Sequence, residues 1–188
     1  MISIQPKHLL NILNGYKTLE LRKNVPKDFK GWVYIYCTKG KDILEYSFLG
    51  YRTLRESSFY NNGIGMSLNG KVVARFWFDE YIAYKYHEDD NSYFAKRPQD
   101  FGYNAEEVLE RLCLSRDEFK AYGKGKDLYA WHIKKLEIFD TPLSLSDFYV
   151  HSKDFYTADK YGYENENLIN YVRITKAPQS WRYVYYAN

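Results

Sequence analysis

The sequence predicts an α+β fold: a mainly antiparallel, partly closed β-barrel with short flanking helices. Two observations carry that prediction. Several short runs rich in β-branched and aromatic residues are separated by turn signals, and helical patterns carry capping or stop residues. At 188 residues the chain suits a single domain, 1–188, with insertions over roughly 42–69 and 149–176.

Taken in order, Ile2 and Ile4 alternate with Ser3 and Gln5 as a short first strand. Pro6 suits the first position of a helix in which Leu9, Leu10, Ile12 and Leu13 share one face. Gly15 stands where such a helix stops at positive φ. Val25-Pro26-Lys27-Asp28 reads as a turn, and Trp32 to Cys37 as a strand opened by Gly31. Between Asp42 and Leu68 periodicity is weak, with local structure around Ile43 to Leu54, and Asn61-Asn62-Gly63 and Asn69-Gly70 are turn signals. Lys71 to Phe78 is a second strong strand, which Tyr81 to Tyr86 either extends or pairs with.

His87 to Asn91 is an acidic break. Ala105 to Leu112 is a helix with Val108, Leu109 and Leu112 facing inward. Ser115-Arg116-Asp117-Glu118 has capping-box spacing for a further helix that stops at Gly123. Leu128 to Ile133 and Leu136 to Phe139 are consecutive or paired strands, the second stopped by Pro142. Tyr161 to Asn167 lies in the second insertion, and Trp181 to Tyr186 closes the barrel.

Aromatics make up 19% of the chain, so its strands carry rings that pack on one side and reach water or a stacked base on the other. Net charge is only +3, but residues 1–41 hold eight Lys or Arg against Glu20 and Asp28, which favours an anionic partner. Cys37 and Cys113 make neither a disulfide framework nor a CxxC site, and the four histidines lack metal-ligand spacing, so no metal or cofactor is expected. No signal peptide opens the chain, and no apolar run approaches the roughly 20 residues that span a bilayer, which points to the cytoplasm and away from membranes.

The functional stretch is Asn14 to Arg22. Alternation sets Thr18, Glu20 and Arg22 on one side of a strand and Leu19 and Leu21 on the other, with Lys17 at the turn. Three charges beside buried leucines hold either a ligand or each other. The pattern Gly15-x-Lys17-x-x-Glu20-x-Arg22 resembles the motif of the ASCH superfamily, which is similar in fold to the RNA-binding PUA domain. Tyr36 to Lys39, Asn69 to Val73, Tyr129 to Ile133 and Pro178 to Trp181 also resemble ASCH proteins of bacteria and their phages, in the family's order along the chain.

That resemblance implies a PUA-like barrel whose motif lines a cleft. It implies first a binder of RNA or a modified nucleotide, with ligand-binding residues Gly15, Lys17, Glu20, Arg22, Tyr36, Thr38, Lys39, Trp131 and Trp181. In this reading the cations meet phosphate and the aromatic residues offer stacking surface. The alternative is a hydrolase with Lys17 and Glu20 as catalytic candidates. It would be a ribonuclease or an acetylcytidine amidohydrolase, whose family form uses a motif lysine, a threonine three residues later and a downstream glutamate. This chain matches the lysine as Lys17, but Glu20 stands in the threonine's place. Glu110 is near the downstream position, where Leu112 aligns.

Overall fold

The computed structural model describes residues 1–47, 50–55, 65–96, 104–151 and 171–186, with the backbone alone for 52–55. The turn at Asn61-Asn62-Gly63 and the run Tyr161 to Asn167 lie outside the described residues. The chain begins with β1 (Ile2–Ile4), α1 (Pro6–Leu13), β2 (Leu19–Arg22) and β3 (Gly31–Cys37). It continues through β4 (Asp42–Ser47), β5 (Gly50–Arg55), β6 (Met66–Ser67), β7 (Val72–Phe78), β8 (Tyr81–His87) and β9 (Ser92–Lys96). Two helices follow, α2 (Ala105–Leu112) and α3 (Arg116–Gly123), then β10 (Leu128–His132) and β11 (Lys134–Leu143). The last strands are β12 (Phe148–His151), β13 (Tyr171–Arg173) and β14 (Tyr185–Tyr186).

Local chemistry fixes the helices. Pro6 occupies the first turn of α1, where its missing N–H costs nothing, and Gly15 follows the helix at φ +77°. Asn104 and Ser115 each form a reciprocal capping box, with Glu107 and Glu118. The left-handed residue that ends α3 is Lys124 rather than Gly123. Gly123 is required for space instead: a Cβ there would sit 1.9 Å from the Tyr93 hydroxyl.

Two four-stranded sheets carry the fold, in the orders β1-β3-β7-β11 and β2-β10-β8-β9. Only the β1–β3 pair is parallel among the described pairings. The chain crosses from the first sheet to the second between β7 and β8, and returns between β10 and β11. Among the described residues, hydrogen bonding closes neither sheet on itself, so the expected barrel is two facing sheets joined at these corners. Mostly antiparallel strands with three short helices make the α+β fold that the sequence predicts.

The main core lies between the facing sheets, where Ile35, Phe76 and Phe78 of the first meet Trp131 of the second, capped by Leu9 and Ile12 of α1. The far side of the second sheet packs Leu19, Leu21, Leu128 and Ala130 against Val108 and Leu112 of α2 and Phe119 of α3. On the far side of the first sheet Tyr36 and Val72 pack against Phe148 and Ile174.

The local structure expected around Ile43 to Leu54 is the pair β4–β5, which β6 extends to a three-stranded sheet, β5-β4-β6, that Leu44 anchors to the main core. The acidic break is a turn over residues 88–91, and the residues after it form a strand, β9, paired from Ser92↔His87 to Lys96↔Ala83. Two expectations are corrected. Pro142 does not stop β11, which runs to Leu143. That strand lies at an edge, where an absent N–H breaks no ladder. Trp181 to Tyr186 is not one strand: Trp181 makes an isolated bridge to Ile2, and only Tyr185–Tyr186 pairs, with β12.

Candidate functional site

The motif starts where α1 ends. Turning at Gly15 brings Lys17 to the C-terminus of α2, whose last carbonyls need donors. Leu114 N–H donates to Leu109 O, Cys113 N–H to Glu110 O, and Thr18 N–H to Arg111 O. Lys17 Nζ completes the set by donating to Leu112 O at 2.7 Å. An ammonium at a helix C-terminus is also favoured by the helix dipole.

Strand β2 then places the other two charges. Glu20 Oε1 lies 3.0 Å from Arg22 Nη2, and Glu20 Oε2 lies 3.5 Å from Lys17 Nζ. Arg22 Nη2 also donates to Ser3 O of β1 at 2.8 Å. The hydroxyl of Ser3 in turn donates to Pro178 O at 2.6 Å. The cluster therefore ties α2, β1, β2 and the C-terminal segment together. The sequence predicts that these charges face outward, opposite the leucines. In the structure all four residues of β2 are buried, because the second sheet is covered on both faces.

This burial defines the electrostatics. Lys17 is 3% exposed, and Glu20 and Arg22 are each 7% exposed. Two cations share one carboxylate, which leaves an excess positive charge in a desolvated place. Glu20 Oε2 and Arg22 Nε have no hydrogen-bond partner. His8 of α1 and Tyr122 of α3 stand beside the cluster, and nothing in the sequence marked either. Burial pushes the His8 imidazole down, and the Lys17 ammonium pushes it further the same way. Burial pushes the Tyr122 hydroxyl up, against the pull of Arg22. Cys113 is likewise raised by burial, with Lys17 opposing.

A second feature adjoins the first. Trp131 is the cross-strand partner of Glu20, so the two side chains leave the same face of the sheet. Trp131 lines a small pocket of about 80 Å³ with Phe29, Trp32, Trp181 and Tyr183. Its ring centroid is 6.2 Å from that of Trp181 and 4.8 Å from that of Phe78. Trp181 donates its indole N–H to Asn24, whereas the buried Trp131 Nε1 has no acceptor. At that volume the pocket does not enclose a whole nucleotide.

Of the predicted site residues, Lys17, Glu20 and Arg22 form one cluster, with Trp131 and Trp181 beside it. Gly15 is exposed and supplies the turn. Tyr36 is buried on the opposite face of the first sheet from Trp131, packed with Phe148. Thr38 N–H donates to Ile4 O, and exposed Lys39 lies against Gly70. Among the described residues, no hydrogen bond or ion pair links Thr38 or Lys39 to the charged cluster. The hydroxyl of Thr18 accepts from Arg111 Nε at 2.8 Å, and Leu112 meets Lys17 through its carbonyl while its side chain fills the core.

No family model matches the sequence, and no curated protein matches it. Two solved structures align with it over most of its length. The ASCH protein from Zymomonas mobilis shares 12% identity, covers 93% of this chain and 86% of its own, and gives a TM-score of 0.45. A tyrosine-to-phenylalanine mutant of that protein shares 12% identity, covers 93% and 88%, and gives 0.43. The chain is similar to ASCH proteins. At these values the likeness decides nothing about the site, whose reading rests on its own contacts. No helix among the described residues is long and apolar enough to cross a membrane.

Proposed function

We propose that this protein binds RNA or a nucleotide, with an anionic group drawn to the charged cluster and a base held in the adjoining aromatic pocket. The observation that carries the reading is the buried cluster in which Lys17 and Arg22 share the single carboxylate of Glu20, with Arg22 Nε left without a hydrogen-bond partner. Buried polar groups are normally paired, and sites where they are not are candidates for function. The pocket supports the reading because Trp131, whose side chain shares the face of Glu20, also lines it. Aromatic faces stack on any base, and an aromatic pocket beside a cationic cluster suits a base that carries a phosphate.

The contacts favour binding over turnover. Lys17 spends its N–H groups on the Leu112 carbonyl and on the Glu20 carboxylate side of the cluster, so it is poorly placed to accept a proton. The Thr18 hydroxyl is held by Arg111. A carboxylate stands where the amidohydrolase pattern needs its nucleophile.

Titration of a fluorescently labelled single-stranded RNA at low and moderate salt tests the reading. Tighter binding at low salt is expected, because phosphate contacts release counterions. Equal and negligible binding at both salts would overturn it.

A further inference from the structure

We infer that the part of the first sheet's outward face that carries Trp32 and Trp77 is a track for single-stranded nucleic acid that leads away from the aromatic pocket. The inference rests on the nucleotide-binding reading and extends it to a longer ligand. Trp32 joins the two features: it lines the pocket and also stands on the face of β3 turned away from the main core. Its direct cross-strand partner on β7 is Trp77. The two rings meet edge to face, with centroids 5.6 Å apart, and both are half-buried. Beside them on the same face, Tyr34 pairs with Arg75 and packs on Phe148 and Tyr186, which bound the track on that side.

Two cations are seated on these rings. The Arg75 guanidinium lies 4.3 Å from the centroid of Trp32, and Lys135 Nζ lies 5.7 Å from that of Trp77. Arg75 is held there by Glu137, its cross-strand neighbour on β11, at 2.6 Å. Lys135 reaches Trp77 through a local distortion. Its backbone takes φ +46°, and the β11 register shifts between Lys134 and Glu137. Such irregularities re-aim a side chain, here an exposed ammonium over an indole. The carboxylates beside the track are each ion-paired, Glu137 with Arg75, and Asp79 and Glu80 both with Lys134 at 3.0 and 2.6 Å, which leaves Lys135 as the track's cation without a carboxylate partner among those contacts.

Half-buried rings with cations seated on them bring together the aromatic surface and the positive charge that a sequence-tolerant single-strand site requires. A cross-strand tryptophan pair also stabilises a sheet, so the measurement must separate the two roles. Affinities of uridine monophosphate and of an oligouridylate of about eight nucleotides are compared for wild type, Trp77→Ala and Lys135→Glu. The oligomer is expected to bind wild type at least about tenfold more tightly than the monophosphate, and each variant to lose most of that gain. Monophosphate affinity stays unchanged in both variants. Lys135 is exposed, so its variant reports on binding even where Trp77→Ala fails to fold. An oligomer gain that survives in Lys135→Glu and in folded Trp77→Ala overturns the track. Monophosphate binding with no gain in wild type also overturns it and leaves the pocket reading standing. If neither ligand binds wild type, both readings fall.

Discussion

Glu20 and Trp131 are paired across β2 and β10, and their side chains leave the sheet on the same face. That register sets a buried ion cluster against an aromatic pocket. A slip of one residue would turn Glu20 and Arg22 into the apolar cluster under α2 and expose the leucines to the cations. The register is in turn fixed from outside the strand, by Lys17 on Leu112 O and by Ile133 N–H on Thr18 O.

Removing the shared carboxylate tests the cluster's structural share. Glu20→Ala strands two buried cations and is expected to cost about 3–5 kcal/mol, whereas Glu20→Gln keeps the shape and an acceptor and costs less. Urea denaturation of both variants reads this directly. A change near zero for Glu20→Ala would mean that the cluster is open to water.

Wild-type protein is expected to release no acetate from acetylated cytidine, because Glu20 occupies the nucleophile's place and engages Lys17. Robust release that disappears in Lys17→Ala would move the hydrolase reading to first place. Glu20→Thr, which restores the pattern, is the variant most able to gain that activity.

The half-buried imidazole of His8 and the buried one of His132 give a pH dependence. His8 and His132 both hold their protons less well in the folded chain than at the ordinary value of 6.5, chiefly because burial disfavours the cation. The unfolded chain therefore binds more protons as pH falls below about 6.5, and stability declines with it. Thermal melts between about pH 5 and 7.5 should show the midpoint falling on the acid side, with a shallower fall in His8→Gln. An acid-side rise in the midpoint would contradict this.

Trp131→Phe separates packing from hydrogen bonding. Since Trp131 Nε1 has no acceptor, the loss should be that of a partly filled cavity, about 1–2 kcal/mol. A loss well above that would mean that the indole N–H is paired in solution.

The elements with local signals were legible in the sequence. Pro6, Gly15, Asn104 and Ser115 announce helix ends because a turn or a cap is settled within a few residues. The cluster itself was also legible, since Lys17, Glu20 and Arg22 lie within six positions. Their burial was not. Leu112, whose carbonyl takes Lys17, is 95 positions away in sequence, and Ser3 lies on a different strand. Alternation in β2 predicts an outward polar face, and only the second layer, formed by β1, α1 and the C-terminal segment, covers it. The pairing of β4 to β6 was not legible because these strands lack strict alternation, and the partners of Tyr36 were not legible because a strand shows which residues share a face, not what each face meets.

The most direct measurement is a titration of uridine monophosphate, followed by tryptophan fluorescence, against wild type, Glu20→Gln and Tyr183→Ala. Tyr183 lines the pocket yet is 53% exposed, so its loss leaves the fold intact. Binding is expected to quench wild-type emission, to weaken about tenfold in Tyr183→Ala, and to hold or tighten in Glu20→Gln. Absence of quenching in wild type, or equal affinity in wild type and Tyr183→Ala, would contradict a nucleotide site built on the Glu20–Trp131 pair.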